Sequence, residues 1–261
     1  MQRLGVIGGT GLIEMTLGSQ INEAGFTLIR TDLINSETTW GEVPLTCMTL
    51  EKDGEARELI FLQRHHHGEG SNMPPHAINH RANIMALKDS GCDAIMAVCS
   101  VGAIAHDFPP GKVGLAEQYI DFTGVASTFH DNEAIFTSVT EPFSLKLNAV
   151  LEKSLRKSQN FDAKENLMYT YWLAQGPHFE TRAEINAIEK LGGDMVGMTM
   201  PREAKLTREL EIPYVAVCIS SNWAAGREPG DSAADLHHHD VSSKANTRLG
   251  PVWDCLIKLL D

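Results

Sequence analysis

Short apolar runs alternate with amphipathic stretches along most of the chain. Residues 4–7 form a brief apolar run that leads into glycines, the pattern of a buried strand ending in a turn. Residues 45–50 and 59–63 flank the polar stretch 52–54 and read as a hairpin. Residues 77–87 carry apolar side chains at helical spacing, with Gly91 placed to end the helix. Residues 93–99, 168–174 and 212–220 have the length and apolar content of strands, and Phe108-Pro109-Pro110-Gly111 marks a turn. Thr181-Arg182-Ala183-Glu184 has the form of a capping box and predicts a helix to about residue 191. Residues 241–260 read as a closing helix.

Strands and helices in this order predict an α/β fold with a central mixed β-sheet flanked by helices. No proline- or glycine-rich linker and no internal repeat divides the chain, so residues 1–261 are expected to form a single domain. In such sheets ligands gather beyond the carboxyl ends of strands. The residues just after the predicted strands are therefore the ones to examine.

Composition narrows the range of partners. Hydrophobic residues make up 43% and charged residues 21%, an ordinary globular balance. The formal net charge of −12 repels nucleic-acid phosphates and anionic lipid, which argues against a nucleic-acid or membrane-surface protein. No apolar run approaches the roughly 18 residues of a membrane span. The first segment, with Arg3 and then apolar residues broken by Gly8, Gly9 and Gly11, does not read as a signal peptide. Five cysteines (Cys47, Cys92, Cys99, Cys218, Cys255) form no Cys-x-x-Cys pair and read as reduced thiols in a cytoplasmic protein.

Gly5-Val6-Ile7-Gly8-Gly9-Thr10-Gly11 is a strand followed by a glycine turn whose backbone N–H groups can converge on an anion, with the Thr10 hydroxyl as a further donor. The rival reading is a dinucleotide site with Asp32 on the ribose, but Glu14 stands where the third glycine of that fingerprint belongs. Arg64 and His65 follow the strand at 59–63. A guanidinium fork with a neighbouring imidazole donor suits a phosphate. His65-His66-His67 and His237-His238-His239 invite a metal reading, yet consecutive histidines point in different directions and no partner stands at helical spacing, so no metal is expected.

Taken together, these segments resemble the trimeric purine nucleoside phosphorylase and methylthioadenosine phosphorylase family. Ile7-Gly8-Gly9-Thr10-Gly11 resembles its phosphate loop. Arg64-His65 with Met73-Pro74 and Asn79 resembles a second phosphate segment, with one extra residue between. Cys99-Ser100-Val101-Gly102 matches a stretch that lines the nucleoside pocket, and Gln175-Gly176-Pro177-His178-Phe179-Glu180-Thr181 the family's most recognisable motif. Gly197-Met198-Thr199 matches a ribose and phosphate contact. The resemblance runs in order from about residue 4 to about residue 226. It implies Thr10, Arg64, His65 and Thr199 around phosphate, Met198 against ribose, Phe179 on the purine and Ser100 in the pocket wall. His178, Pro201, Arg202, Cys99 and Ser100 depart from the usual family residues.

In Ser221-Asn222-Trp223-Ala224 the family places its base-recognising residues. Adenosine-type members carry two aspartates there, whereas this chain has Asn222 and Ala224. Asparagine offers both a donor and an acceptor for a 6-oxopurine edge, and Ala224 offers nothing to a 6-amino group. Asn222 is thus expected to bind the base and, as the catalytic residue, to support it as it leaves. His238 falls about where inosine- and guanosine-cleaving members place a histidine for the 5′-hydroxyl; a solvated helix start explains the run equally well. The resemblance implies phosphorolysis of inosine and guanosine by a cytoplasmic homotrimer of purine salvage, without cofactor and with inorganic phosphate as co-substrate. The alternatives are a methylthioinosine or methylthioadenosine phosphorylase and a non-catalytic purine- or nucleotide-binding protein.

Overall fold

The computed structural model describes residues 1–9, 12, 19–67, 71–236 and 249–261. Its centre is a nine-stranded mixed sheet. In chain order the strands are β1 (Arg3–Gly8), β2 (Thr27–Thr38), β3 (Gly41–Lys52), β4 (Glu55–Gln63), β7 (Ala94–Ala103), β8 (Val113–Asp121), β9 (Met168–Leu173), β10 (Met195–Gly197) and β11 (Tyr214–Trp223). A separate two-residue pairing joins β5 (His66–His67) to β6 (Ser71–Asn72). The spatial order is β10-β9-β8-β11-β7-β1-β4-β3-β2, and β10 also pairs antiparallel with β7. That extra pairing closes five strands into a small barrel, with an open wing of β1, β4, β3 and β2 beside it.

The helices are α1 (Ser19–Glu23), α2 (His80–Asp89), α3 (Leu145–Ser158), α4 (Arg182–Lys190), α5 (Met200–Glu209) and α6 (Gly250–Leu260). They cover both faces of the sheet. Leu4 and Val6 of β1, Met96 and Val98 of β7, and Val215 and Val217 of β11 face one core with α3 and α6. Their alternates Ile7, Ile95, Ala97, Cys99, Ala216 and Cys218 face a second core with α2 and α5. Burial on both faces explains why these strands read as continuous apolar runs and not as alternating ones.

Most sequence expectations find their element. The hairpin is β3–β4, turning at Asp53 and Gly54 with φ of 54° and 77°, as a tight two-residue turn requires. The strands expected at 93–99 and 212–220 run on to Ala103 and Trp223. The helix expected from residue 77 starts at His80, because Pro75–Ala77 forms a separate 3-10 turn and Asn79 caps α2. The capping box at Thr181 is complete: Glu184 N–H donates to Thr181 Oγ1, and Thr181 N–H donates to Glu184 Oε2. Of the helix expected at 241–260, Gly250–Leu260 is helical and 241–248 lie outside the described residues. Pattern alone did not find β2, β8, β10, α3 or α5. β2 is an edge strand with Leu28, Ile29, Leu33 and Ile34 exposed, so it lacks the alternation that a half-buried strand would show.

The topology fixes where chemistry can gather. β1, β4, β7 and β11 are mutually parallel, so Gly8, Gln63, Ala103 and Trp223 end at the same sheet edge. The β7–β11 register slips between Ser220 and Asn222, leaving Ser221 as the extra residue of a bulge. Such a bulge re-aims the side chain that follows it.

Candidate active site

A pocket of about 430 Å³ opens at this edge. Its walls include Arg64 and His65 after β4, Ser100 on β7, Phe179 and Glu180 after β9, Met198 and Thr199 after β10, and Asn222 and Ala224 around the end of β11. Eight of the residues expected in the site thus converge, although they span 160 positions of sequence between Arg64 and Ala224. Thr10 and His238 lie outside the described residues.

At one end stands Arg64, only 2% exposed. Its backbone N–H donates to Gly8 O at 2.8 Å, tying it to the end of β1. Its Nε and Nη2 both donate to Glu203, the Nη2 bond at 3.1 Å, and Nη1 donates to Val98 O at 3.0 Å. Burial alone would lower the Arg64 pKa, but the facing Glu203 carboxylate raises it above its ordinary value. Glu203 is 1% exposed; burial works to raise its pKa, and the charge and hydrogen bonds of Arg64 win and hold it below the usual carboxylate range. The Tyr214 hydroxyl donates a further bond to Glu203 at 2.8 Å.

The glycine turn owes part of its composition to this arginine. A Cβ on Gly9 would lie 2.3 Å from Arg64 Nη1, so the guanidinium occupies the space that any side chain there would need. A Cβ on Gly8 would meet Leu12 O at 2.1 Å and the Phe61 ring at 2.6 Å. The two glycines therefore serve close packing, whatever their backbone N–H groups do for an anion.

Beside Arg64, His65 Nδ1 donates to Met73 O at 2.8 Å, since a carbonyl can only accept. His66 Nε2 instead lies 2.8 Å from Asn83 Oδ1, so neighbouring histidines do diverge. In the same pocket, Thr199 is the N-cap residue of α5, and its hydroxyl makes no capping bond. A helix amino terminus with an uncommitted hydroxyl, next to a guanidinium, is a suitable cradle for an anion. Ser100 Oγ is buried and has no hydrogen-bond partner among the described residues. Such a group in a pocket wall needs a ligand or water to complete it.

At the other end, Asn222 Nδ2 donates to Trp223 O at 2.7 Å, and Oδ1 accepts from Ser221 Oγ at 2.8 Å. The second Nδ2 hydrogen and one lone pair of Oδ1 remain for a ligand. Ala224 is buried beside it. Phe179 is 36% exposed and presents its ring at the pocket wall. Glu180 adds a carboxylate, whose pKa burial raises.

Sequence reasoning singled out neither Glu203 nor Glu180 as a site residue. Glu180 stood inside the quoted Phe179-Glu180-Thr181 motif and was legible there. Glu203 was not, because it meets Arg64 across 139 positions. The only hint was physical: an arginine at the end of an apolar strand requires a buried carboxylate. Arg202, noted as a departure, does not line the pocket; its Nη2 donates to Gln175 Oε1 at 2.9 Å.

Arg64, His65 and Thr199 share this pocket with Asn222 and Glu180, so donors and acceptors for a small polar ligand line one cavity at the edge of an α/β sheet. Residues 3–256 match the phosphorylase superfamily, and the chain belongs to that family of enzymes. A Thermococcus kodakarensis protein named "Probable 6-oxopurine nucleoside phosphorylase" is 39% identical over 238 residues, covering 88% of this chain and 82% of its own length. A Methanopyrus kandleri protein named "Probable S-methyl-5'-thioinosine phosphorylase" is 38% identical over 228 residues, covering 87% and 80%. The fold is shared with methylthioadenosine phosphorylase from Schistosoma mansoni, with a TM-score of 0.81 at 23% identity over 100% of this chain and 91% of that one.

Proposed function

We propose that this enzyme cleaves 6-oxopurine nucleosides, inosine and guanosine, with inorganic phosphate to give the free base and ribose 1-phosphate. The observation that carries the reading is the composition of the pocket wall, which includes Asn222 and Glu180 and has Ala224 where a second acceptor near Asn222 would stand. The free Nδ2–H of Asn222 donates to O6 or N7, and Glu180 accepts the N1–H that a 6-oxopurine carries and an adenine lacks. A site built for that pattern rejects the wrong edge by leaving buried polar groups unpaired.

The chemistry follows from positioning. As the N9–C1′ bond lengthens, positive charge develops on the ribose and negative charge on the purine. Arg64, His65, Thr199 and the amino terminus of α5 hold phosphate against C1′, and Thr10, which lies outside the described residues, is assigned to phosphate by the family motif alone. Asn222 stabilises the purine as it leaves, Phe179 stacks on it, and Met198 and Ser100 line the sugar side. Fixed donors aimed at developing charge, with two reactants held in contact, supply most of such a rate enhancement without a cofactor.

The stretch 122–143 has neither helix nor strand and exposes Phe122, Ile135 and Phe136, the last at 94%. Apolar side chains so exposed mark a contact surface, and we assign it to a homotrimer acting in cytoplasmic purine salvage. A second reading, 5′-methylthioinosine as substrate, draws on Leu236, an apolar residue in the pocket wall next to the segment containing His238. Base release from inosine, guanosine, adenosine, methylthioinosine and methylthioadenosine, with and without phosphate, tests all of this. Phosphate-dependent cleavage of inosine and guanosine alone is expected. Preference for methylthioinosine would select the second reading. Binding without phosphate-dependent release would leave a purine-binding protein and overturn the proposal. Replacing Asn222 and Ala224 together by Asp should shift preference toward 6-amino substrates by about tenfold or more, and no shift would refute the base assignment.

A further inference from the structure

The phosphate end of the pocket rests on a buried ion pair that phosphorolysis itself does not demand. A lone guanidinium would attract phosphate more strongly than one already neutralised, so Glu203 must contribute something other than charge. Its geometry shows what that is. Both Nε and Nη2 of Arg64 are engaged by the one carboxylate, while Nη1 is held by Val98 O at 3.0 Å. Nη2 donates a further bond to Cys99 Sγ at 3.7 Å. A guanidinium carries five N–H donors, and holding four of them fixes the plane of the fork and leaves one N–H, on Nη1, for a ligand.

Glu203 is itself held for this task. Tyr214 donates to its Oε2 at 2.8 Å. His80 lies with Nδ1 3.8 Å from Oε1, beyond hydrogen-bond range, and neither ring nitrogen has a hydrogen-bond partner among the described residues. The carboxylate is thus committed to Arg64 in preference to a buried imidazole beside it. Glu203 also sits one turn into α5, the helix whose N-cap is Thr199. One rigid element therefore carries both the amino-terminal anion cradle and the carboxylate that aims the guanidinium.

We propose that Glu203, secured by Tyr214, is the positioning residue for the phosphate co-substrate, fixing which corner of Arg64 faces the pocket. This rests on the reading of Arg64 as a phosphate ligand. Four variants separate the two: Glu203→Gln, Glu203→Asp, Tyr214→Phe and Arg64→Lys, each assayed with phosphate and inosine varied independently. Glu203→Gln should raise KM for phosphate about 10- to 100-fold, in line with the effect of a reacting group misplaced by about 1 Å, and leave KM for inosine within about twofold. Glu203→Asp should restore part of the loss. If Glu203→Gln does not fold, Tyr214→Phe decides the matter, because it removes only the phenolic donor; a selective rise of a few-fold in phosphate KM is expected. A phosphate KM unchanged in Arg64→Lys would remove the underlying reading and this inference with it. A raised phosphate KM in Arg64→Lys with none in the Tyr214 and Glu203 variants, or an equal rise for both substrates, would overturn the inference alone.

Discussion

Replacing Gly9 by alanine probes the phosphate end of the pocket by crowding Arg64, with every ligand-contacting side chain left in the sequence. Gly9 does not have a positive φ, so alanine adds no backbone strain. Its Cβ would stand 2.3 Å from Arg64 Nη1 and 3.0 Å from Val98 O. Ordinary contact begins near 3.4 Å, so the guanidinium must retreat by about 1 Å. It has no slack to do so, because Glu203 holds one edge and Val98 O the other. The smallest adjustment gives up the Nη1 bond to Val98 O, and a hydrogen bond to a charged group contributes about 1.5–3 kcal/mol. At 1.4 kcal/mol per factor of ten, that is roughly 10- to 100-fold. Initial rates at saturating inosine with phosphate varied should show a KM for phosphate raised by about that factor. Urea unfolding should show stability lowered by no more than about 3 kcal/mol. Gly8→Ala provides the contrast: its Cβ meets backbone and a core aromatic ring, so the loss should fall on stability. If Gly9→Ala leaves both phosphate KM and unfolding midpoint unaltered, the packing of Arg64 against the glycine turn is misassigned.

Two further outcomes test the surroundings of the site. His80 is buried, and burial, reinforced by Arg64, Arg202 and His65 against the opposing pull of Glu203, lowers its pKa to about 4 from 6.5. Between those values the unfolded chain binds a proton that the folded protein refuses, so stability falls as pH drops from about 6.5 to about 4, by about 3 kcal/mol in all. Urea unfolding of wild type and His80→Asn across this range isolates the effect. Half-buried Glu180 and Asp194, whose raised pKa values act in the opposite sense, cancel in the difference; a difference independent of pH would refute the argument. Thr181→Ala removes the acceptor for Glu184 N–H at the start of α4 and should lower stability by about 1 kcal/mol, with phosphate KM unmoved.

Local pattern determined a good part of this protein. The apolar runs at β1, β7 and β11, the Asp53-Gly54 hairpin and the Thr181–Glu184 box are decided by neighbours a few residues apart, and these are what a sequence displays. Arg64 and Asn222 were legible from their places at the ends of strands, whereas Ser100, Phe179, Met198, Thr199 and Ala224 were legible only through the ordered motifs that resemble a known family. Tertiary structure decided the rest. β2 is an exposed edge strand held only by its sequence neighbour β3, β8 depends on pairing with the distant strands β9 and β11, and β10 closes a barrel through a contact with β7 that no local spacing announces. The Arg64–Glu203–Tyr214 cluster joins the end of β4, the first turn of α5 and the start of β11, so no periodicity could reveal it. Nor could sequence say that Gly9 lacks a side chain because a guanidinium fills its place. A buried charge must find its partner wherever the fold brings one, and only the folded chain specifies where that is.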